Sequence, residues 1–143
     1  RAYLFRGGAL TRLTEDHSEA QRLVNLGILT PEEAGRHPAR HGLTLFLGYP
    51  ANGEYSLRAA VMKQALRRGD ALLLCSDGLT DMLDDEAVAS LIRGDPAGIA
   101  RALVDAALAA GGRDNVTALV ARVEHPGPPA WLTRAHKREG RQS

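Results

Sequence analysis

Two aspartates lie where hydrophobic segments meet polar turns. Asp77 follows the apolar run 71–75, and Asp114 lies just before the apolar segment 116–123. An acidic residue at the end of a strand projects its carboxylate oxygens from a rigid element, which is the support that a metal site needs. Hard divalent ions such as Mg²⁺ and Mn²⁺ prefer such oxygen ligands. Two ions about 3.5–4 Å apart can generate a hydroxide near neutral pH and clamp a phosphoryl group, and this chemistry needs bridging carboxylates.

Asp81 is a third candidate ligand, because it lies four residues after Asp77 and reaches the same cleft if the chain turns between them. Each acid also has a purely structural interpretation. An Asp-Gly pair is commonly a turn, and an acid beside a strand can simply cap it. Asp84 and Asp95 illustrate this simpler role, since both are predicted to be helix caps. The joint pattern of acids at two strand ends favours metal ligation by Asp77 and Asp114.

The strands that would support these acids can be predicted from alternation and turns. Gly7 and Gly8 tolerate the positive φ of a tight turn, so the segments beside them are predicted to form a hairpin. The run 71–75 is uniformly apolar, as central strands often are. The predicted strands are 1–6, 9–13, a half-buried strand containing Leu57, Ala59 and Val61, the central strand 71–75, and the last strand 116–123.

Capping residues predict the helices. Thr30, Pro31 and Glu33 have the spacing of a capping box with proline at the first helical position. The other predicted helices start at Asp16 or Ser18 and end at Gly27, start at Asp84 and end near Ile92, and start at Asp95 and end at Gly111. Pairs of helices between strands favour an α+β fold over a regular alternation of strands and helices.

The composition is that of one modest soluble domain. The chain has 18 lysines and arginines and 17 acidic residues. The resulting formal charge of +1 creates no electrostatic field that favours binding to nucleic acid or a membrane. Cys75 is the only cysteine, which excludes an intrachain disulfide and fits the reducing cytoplasm. There is no apolar run of about 18 residues. Because the chain starts at Arg1 inside a strand-like segment, we expect a fragment or a processed product.

The two acidic segments resemble those of metal-dependent protein phosphatases, the type 2C or PPM serine/threonine phosphatases, particularly the bacterial members. The C-terminal half of that family carries Cys-Ser-Asp-Gly-Leu-x-Asp and Gly-x-x-Asp-Asn-x-Thr, which residues 75–81 and 111–117 match. Residues 14–18 are similar to its Thr-x-Asp-His segment. Residues 23–34 and 37–48 are similar to the start and end of its flap. On this resemblance, 1–124 would be the C-terminal portion of a catalytic domain with a flap at about 28–50, and 125–143 a Pro-rich linker and basic tail.

The resemblance implies a four-layer α-β-β-α sandwich of antiparallel sheets, from which the N-terminal half is missing. It also implies two Mn²⁺ or Mg²⁺ ions and a metal-activated water that attacks phosphoserine or phosphothreonine. Asp77 would bridge the metals, Asp114 would bind the second metal, and Asp81 would lie near a weaker third one. Asn115 would orient Asp114. The flap residues that would face the substrate are His37, Arg40, His41 and Thr44; His41 stands where the family usually has Asn, and Leu45 where it has Arg.

The family's N-terminal half supplies another metal-binding Asp-Gly, a Gly-Gly-His segment and an arginine that holds phosphate, and none of these occurs here. We therefore expect unpaired strand edges, exposed apolar faces and an incomplete metal centre. The chain would need its other half covalently, in trans, or through an assembly of copies. Its further partners would be phosphorylated proteins and the serine/threonine kinases that produce them.

Three alternative functions compete with this one. Haloacid-dehalogenase-like phosphatases need Asp-x-Asp-Gly, and Cys75 occupies the position of their nucleophile. A cysteine phosphatase would need a loop of phosphate-binding backbone donors and an arginine after Cys75, where this chain has Asp77. The third alternative is a non-catalytic phosphatase-like binding module. The missing half favours it, whereas the retained Asp77, Asp81 and Asp114 oppose it. Metal binding discriminates between the module and the enzyme.

Overall fold

The computed structural model describes residues 1–46 and 60–125, which form one antiparallel sheet with helices. The strands are β1 (Ala2–Arg6), β2 (Ala9–Arg12), β3 (Ala71–Cys75) and β4 (Ala118–Arg122), in the spatial order β2-β1-β3-β4. The helices are α1 (Glu19–Asn25), α2 (Pro31–Arg36), a 3₁₀ helix (Pro38–His41), α3 (Asp77–Thr80), α4 (Asp85–Leu91) and α5 (Pro96–Ala109). The predicted α+β class is confirmed. No helix in these described ranges combines the length and hydropathy needed to cross a membrane.

One face of the sheet is covered by α4 and α5. Tyr3 pairs with Leu73 across β1 and β3, and Leu73 pairs with Val120 across β3 and β4, so their side chains share this face. The buried core on this side consists of Tyr3, Ala71, Leu73, Leu79, Val88, Ile92, Ile99, Leu103 and Ala107. Helix α5 contributes Ile99, Leu103 and Ala107 to this core.

The opposite face of the sheet is partly open. Leu74 and Leu119 are paired across β3 and β4, and they remain 50% and 57% exposed. At the other end of this face Leu4 is buried. Two neighbouring leucines that stay half in water form an apolar patch of the kind that marks an interaction surface. The expected exposed apolar face is thus observed; we call Leu74 and Leu119 the open face.

The turn and cap predictions hold where their signals are local. Gly7 and Gly8 have φ values of 58° and 88° in the β1–β2 turn. Both halves of the capping box are present: the Thr30 hydroxyl accepts from the Glu33 amide at 3.2 Å, and the Glu33 carboxylate accepts from the Thr30 amide at 2.7 Å. Ser18, rather than Asp16, caps α1.

Some segments differ from the prediction. The last strand begins at Ala118 rather than 116, and α3 was not predicted. The expected strand through Leu57, Ala59 and Val61 is not formed at Val61, which is 86% exposed and outside any strand; Leu57 and Ala59 lie outside the described residues. So do 47–50 at the predicted end of the flap and the tail from 126 to 143.

Candidate metal site

The two strand-end acids lie at the same end of the sheet. The antiparallel strands β3 and β4 are neighbours, and Cys75 pairs with Ala118 where β3 ends and β4 begins. Asp77 lies two residues after Cys75, at the start of α3, and Asp114 lies four residues before Ala118, in the turn before β4. The sequence placed both acids at strand ends, and the sheet register brings these two ends together.

Each acid binds the amide that follows it with one carboxylate oxygen. Asp77 Oδ1 accepts from the Gly78 N–H at 3.0 Å, and Asp114 Oδ1 accepts from the Asn115 N–H at 2.7 Å. Neither Oδ2 accepts a hydrogen bond from any donor in the described part of the chain. The two carboxylates therefore share one arrangement, in which the chain orients the group through Oδ1 and leaves Oδ2 as an acceptor.

Gly78 determines how closely the two segments approach each other. It is buried, and a Cβ built on it would overlap the carbonyl oxygen of Asn115 and lie 3.0 Å from that residue's carbonyl carbon. The same Cβ would lie 3.4 Å from the carbonyl carbon of Asp114. The backbone after Asp77 thus packs directly on the backbone around Asp114. Sequence reasoning treated Gly78 only as a turn residue, although its place between Asp77 and a buried leucine was the available signal.

Asp81 returns to the side of Asp77. The single turn of α3 closes with a hydrogen bond from the Asp81 N–H to the Asp77 carbonyl at 2.8 Å. Both acids line a cleft of about 730 Å³ between this segment and the flap. The remaining lining residues include Arg1, Arg12, Asp16, His17, Gln21, Arg40, His41, Leu43 and Asp85. The turn that the sequence analysis required is therefore present; Asp114 is not among the lining residues.

Two of the predicted flap residues contact Asp81. Arg40 Nη1 lies 3.4 Å from Asp81 Oδ1, and His41 Nδ1 lies 3.7 Å from Asp81 Oδ2. His37 instead accepts the Ala39 N–H with its Nδ1 at 3.1 Å and begins the 3₁₀ helix. Like Thr44, His37 does not line the cleft formed by the described residues. Two residues predicted to meet substrate thus lie beside a predicted metal ligand.

Backbone hydrogen bonds attach the later part of the flap to the segment that leads into α1. The Thr44 N–H donates to the His17 carbonyl at 2.9 Å, and the Glu19 N–H donates to the Gly42 carbonyl at 2.8 Å. An isolated bridge pairs Ser18 with Leu43. These contacts hold residues 42–44 against the start of α1, and residues of α1, α2 and the 3₁₀ helix form one wall of the cleft.

A charged network that the sequence analysis missed forms another wall. Arg1 donates three hydrogen bonds to Asp16, at 3.0 and 3.2 Å from Nε and at 2.6 Å from Nη2, and Tyr3 Oη donates to Asp85 at 3.0 Å. Burial raises the pKa of Asp16, but the hydrogen bonds and charges of Arg1 and Arg12 together lower this pKa below its usual value. Burial raises the pKa of Tyr3 to about 12. The available signal was the Thr-Glu-Asp-His segment, from which the sequence predicts Asp16 or Ser18 as a helix cap and no ion pair with Arg1.

The chemistry of the donors fits one part of a site for hard divalent ions. Asp77 and Asp114 each offer a carboxylate oxygen of the kind that Mg²⁺ and Mn²⁺ prefer. Within residues 1–46 and 60–125, however, no three His, Cys, Asp or Glu side chains are grouped closely enough to hold an ion. Burial raises the pKa of Cys75, so this thiol does not have the features of a reactive nucleophile.

Comparisons with known proteins point to one family. No family model matches the chain. The chain is 42% identical over 125 residues to the serine/threonine protein phosphatase PstP of Mycobacterium tuberculosis, which covers 86% of the chain and 23% of PstP. It is 37% identical over 119 residues to the protein phosphatase PhpP of Streptococcus pneumoniae, covering 82% of the chain and 47% of PhpP. The chain therefore spans less than half the length of these curated relatives.

The fold agrees with the sequence similarity. A crystal structure of the catalytic domain of PstP in complex with two manganese ions matches the chain with a TM-score of 0.68 at 38% identity. The match covers 87% of this chain and 50% of the solved one. An identity of 38% over 87% of this chain connects the two in sequence as well as in fold. The comparisons therefore support a bacterial type 2C serine/threonine protein phosphatase, of whose solved catalytic domain this chain matches about half.

Proposed function

We propose that residues 1–124 form the C-terminal portion of a metal-dependent protein phosphatase that hydrolyses phosphoserine and phosphothreonine in proteins. The observation that carries this proposal is that Asp77 and Asp114 lie at the same end of the sheet, and that the Oδ1 atom of each accepts a hydrogen bond from the next backbone N–H. Mn²⁺ is the first choice of metal, because a relative of the same fold is described with two manganese ions; Mg²⁺ has the same ligand preference.

Each acid has a distinct proposed role. Asp77 bridges two metal ions, Asp114 binds the second, and Asp81 lies near a third. Asn115 orients Asp114 in this proposal, and the hydrogen bond from the Asn115 N–H to Asp114 Oδ1 at 2.7 Å supports that role. Ions bound at such carboxylates supply positive charge for the phosphoryl oxygens and lower the pKa of water. The chain's own contribution is to hold the carboxylates on rigid strand ends, so that little reorganisation is needed when the ions bind.

The remainder of the site is proposed to come from a second segment, corresponding to the N-terminal half of the domain. Three observations support this: the open face of Leu74 and Leu119, the absence of three grouped ligands within the described residues, and a span of half the solved relative. The second segment would pack a sheet on the open face and add carboxylates to the same edge. It could be joined covalently, bind in trans, or be replaced by further copies of this chain.

Arg40 and His41 are proposed to meet the substrate, with His37 and Thr44 supporting the flap. The first two line the cleft beside Asp81, where cationic groups suit a phosphorylated peptide. Substrates would be phosphoproteins, and serine/threonine kinases would supply them. A single unpaired cysteine, Cys75, fits a cytoplasmic location. The linker and basic tail proposed for 125–143 carry none of this chemistry.

The test is Mn²⁺-dependent hydrolysis of a phosphothreonine peptide. The wild-type chain, Asp77→Asn and Asp105→Asn are assayed alone and after mixing with the PstP catalytic-domain segment that precedes the matched region. Asp105 is an exposed acid on α5, so its change to Asn removes the same charge away from the site. Activity that requires the added segment and is lost only in Asp77→Asn would support a phosphatase portion.

Two other results have definite meanings. Activity of the chain alone, lost in Asp77→Asn, would mean that copies of the chain complete the site. No hydrolysis and no Mn²⁺ binding, even with the added segment, would contradict the enzyme. That second result would favour the alternative, a non-catalytic phosphatase-like binding or regulatory module.

A further inference from the structure

Ser76 changes the hydrogen bonding between β3 and β4 at the end of the sheet near Asp77 and Asp114. Pairing continues one residue beyond the last strand pair, because the Ser76 N–H donates to the Thr117 carbonyl at 3.1 Å. The Ser76 carbonyl does not return the bond. It accepts instead from the Leu79 N–H at 3.3 Å, as the chain turns into α3. The Thr117 N–H would then lack its partner in the ladder.

The hydroxyl of Ser76 replaces that carbonyl. Its Oγ accepts from the Thr117 N–H at 3.0 Å and donates to the Asn115 carbonyl, also at 3.0 Å. A hydroxyl can donate and accept at a single atom, which neither an alanine nor a carboxylate side chain can do. One oxygen therefore links the end of β3 to two residues of the turn before β4.

The Ser76 link lies directly beside both candidate metal ligands. Ser76 immediately precedes Asp77, and the carbonyl that it binds belongs to the residue immediately after Asp114. Gly78 lets the two backbones come close, whereas the Ser76 hydroxyl keeps them from moving apart. Both interactions involve the Asn115 carbonyl group. The Gly78 contact limits how closely the two segments can approach, and the Ser76 hydrogen bond limits how far they can separate, so together they set the distance between the segments.

Resting on the function proposed above, we propose that Ser76 is a positioning residue that sets the separation of Asp77 and Asp114 for metal binding. Its bonds lie at an exposed site, where water can replace the hydroxyl. Loss of the hydroxyl should therefore disturb the relative position of the acids more than it disturbs folding. Loss of a side chain that only stabilised the fold would instead disturb folding more than the relative position of the acids.

The test compares wild type, Ser76→Ala, Ser76→Thr and Ser90→Ala. Ser76→Thr keeps the hydroxyl. Ser90 donates its hydroxyl to the Ala87 carbonyl at 2.7 Å within α4, so Ser90→Ala removes an exposed serine hydrogen bond away from the acids. Mn²⁺ affinity is measured by electron paramagnetic resonance of free Mn²⁺, with and without the added phosphatase segment. The metal-free melting temperature and the exchange rate of the Thr117 amide are measured alongside.

We expect Ser76→Ala to bind Mn²⁺ about tenfold more weakly or worse, the usual effect of losing a group that orients a ligand. Ser76→Thr should regain most of this affinity, and Ser90→Ala should match wild type. The Thr117 amide should exchange faster only in Ser76→Ala, with similar melting temperatures throughout. Wild-type affinity in Ser76→Ala would overturn the proposal. So would equal weakening in all three variants with parallel loss of melting temperature.

Failure of the proposed function gives a different pattern. If wild type binds no Mn²⁺ in either mixture, the metal-dependent function fails. In that case the hydrogen-exchange rate of the Thr117 amide alone tests whether Ser76 links the two segments. Faster exchange at Thr117 in Ser76→Ala, reversed in Ser76→Thr, would uphold the link between the two segments, and unchanged exchange would refute it.

Discussion

Replacing Gly78 by alanine should separate the two candidate ligand segments while leaving the helix-covered core in place. The added Cβ would overlap the Asn115 carbonyl oxygen and lie 3.0 Å from its carbonyl carbon. The obstacle is backbone, not the end of a flexible side chain, so no rotamer change relieves it. Either the turn that carries Asp114 or the start of α3 must move.

The size of the effect follows from these contacts. Carbon atoms pack best at about 3.5–4.0 Å, so the Asn115 peptide must retreat by on the order of 1 Å. Overpacking of this kind costs about 1–3 kcal/mol. For a chain of this length, such a cost lowers the melting temperature by roughly 3–9 °C. A displacement of about 1 Å at a reacting centre reduces rates by on the order of a hundredfold, so Mn²⁺-dependent hydrolysis should fall further than stability.

The measurements are thermal unfolding without metal, Mn²⁺ affinity, and peptide hydrolysis with the added phosphatase segment. Gly35→Ala is the control for stability, because Gly35 lies in α2 and a Cβ there meets nothing within 4 Å. That variant should gain about 0.4–1 kcal/mol, since alanine loses less entropy on folding. An unchanged melting temperature together with unchanged Mn²⁺ affinity in Gly78→Ala would refute the claim that this glycine sets the approach of the acids.

Three further variants test separate parts of the structure. The Arg6 hydrogen bond lowers the pKa of Asp70 from 3.8 to about 2, so the ionised carboxylate stabilises the fold above pH 3.8 and loses this effect as pH falls towards 2. The melting-temperature gap between wild type and Asp70→Asn should therefore shrink over that window; a constant gap would contradict the pairing. Arg40→Gln removes a cation that competes for Asp81, so Mn²⁺ should bind up to about fivefold more tightly by titration, the scale of a partly exposed ion pair. Unchanged affinity would argue against Asp81 as a ligand. Leu73→Ala should cost about 2–5 kcal/mol in urea unfolding, because Leu73 is 1% exposed; a loss below 1 kcal/mol would contradict its place in the core.

The parts of the fold that could be predicted depend on signals within a few residues. The glycine pair at Gly7 and Gly8 predicted a hairpin because both residues need positive φ there. Thr30 and Glu33 predicted their helix start because the capping box closes over three residues. The strand-end positions of the acids could be predicted for the same reason, since each depends only on the apolar run beside it.

The rest could not be predicted because it depends on contacts between distant segments. Asp16 looked like a helix cap, but Arg1, 15 residues earlier, binds its carboxylate and leaves Ser18 as the cap. Arg40 and Asp81 are 41 residues apart, and they meet where residues 42–44 of the flap return to the start of α1. No local pattern contains such a pairing. Residue types indicated which groups carry charge, and the tertiary fold determined which of them neutralise each other.

The buried core lies on one side of this sheet, whereas the open face and the proposed metal ligands lie elsewhere, and this separation has a thermodynamic consequence. The core is buried on the helix-covered face, whereas Leu74 and Leu119 on the open face stay half-exposed. Within residues 1–46 and 60–125, no three metal-binding side chains are grouped closely enough to hold an ion. A segment that covers the open face and adds carboxylates would bind more tightly when Mn²⁺ is present. By linkage, Mn²⁺ must then bind more tightly by the same factor when the segment is present. Equal factors, measured as the change in dissociation constant from each direction, are expected if one site spans both segments. Association that ignores Mn²⁺ would mean that the open face and the two acids serve separate purposes.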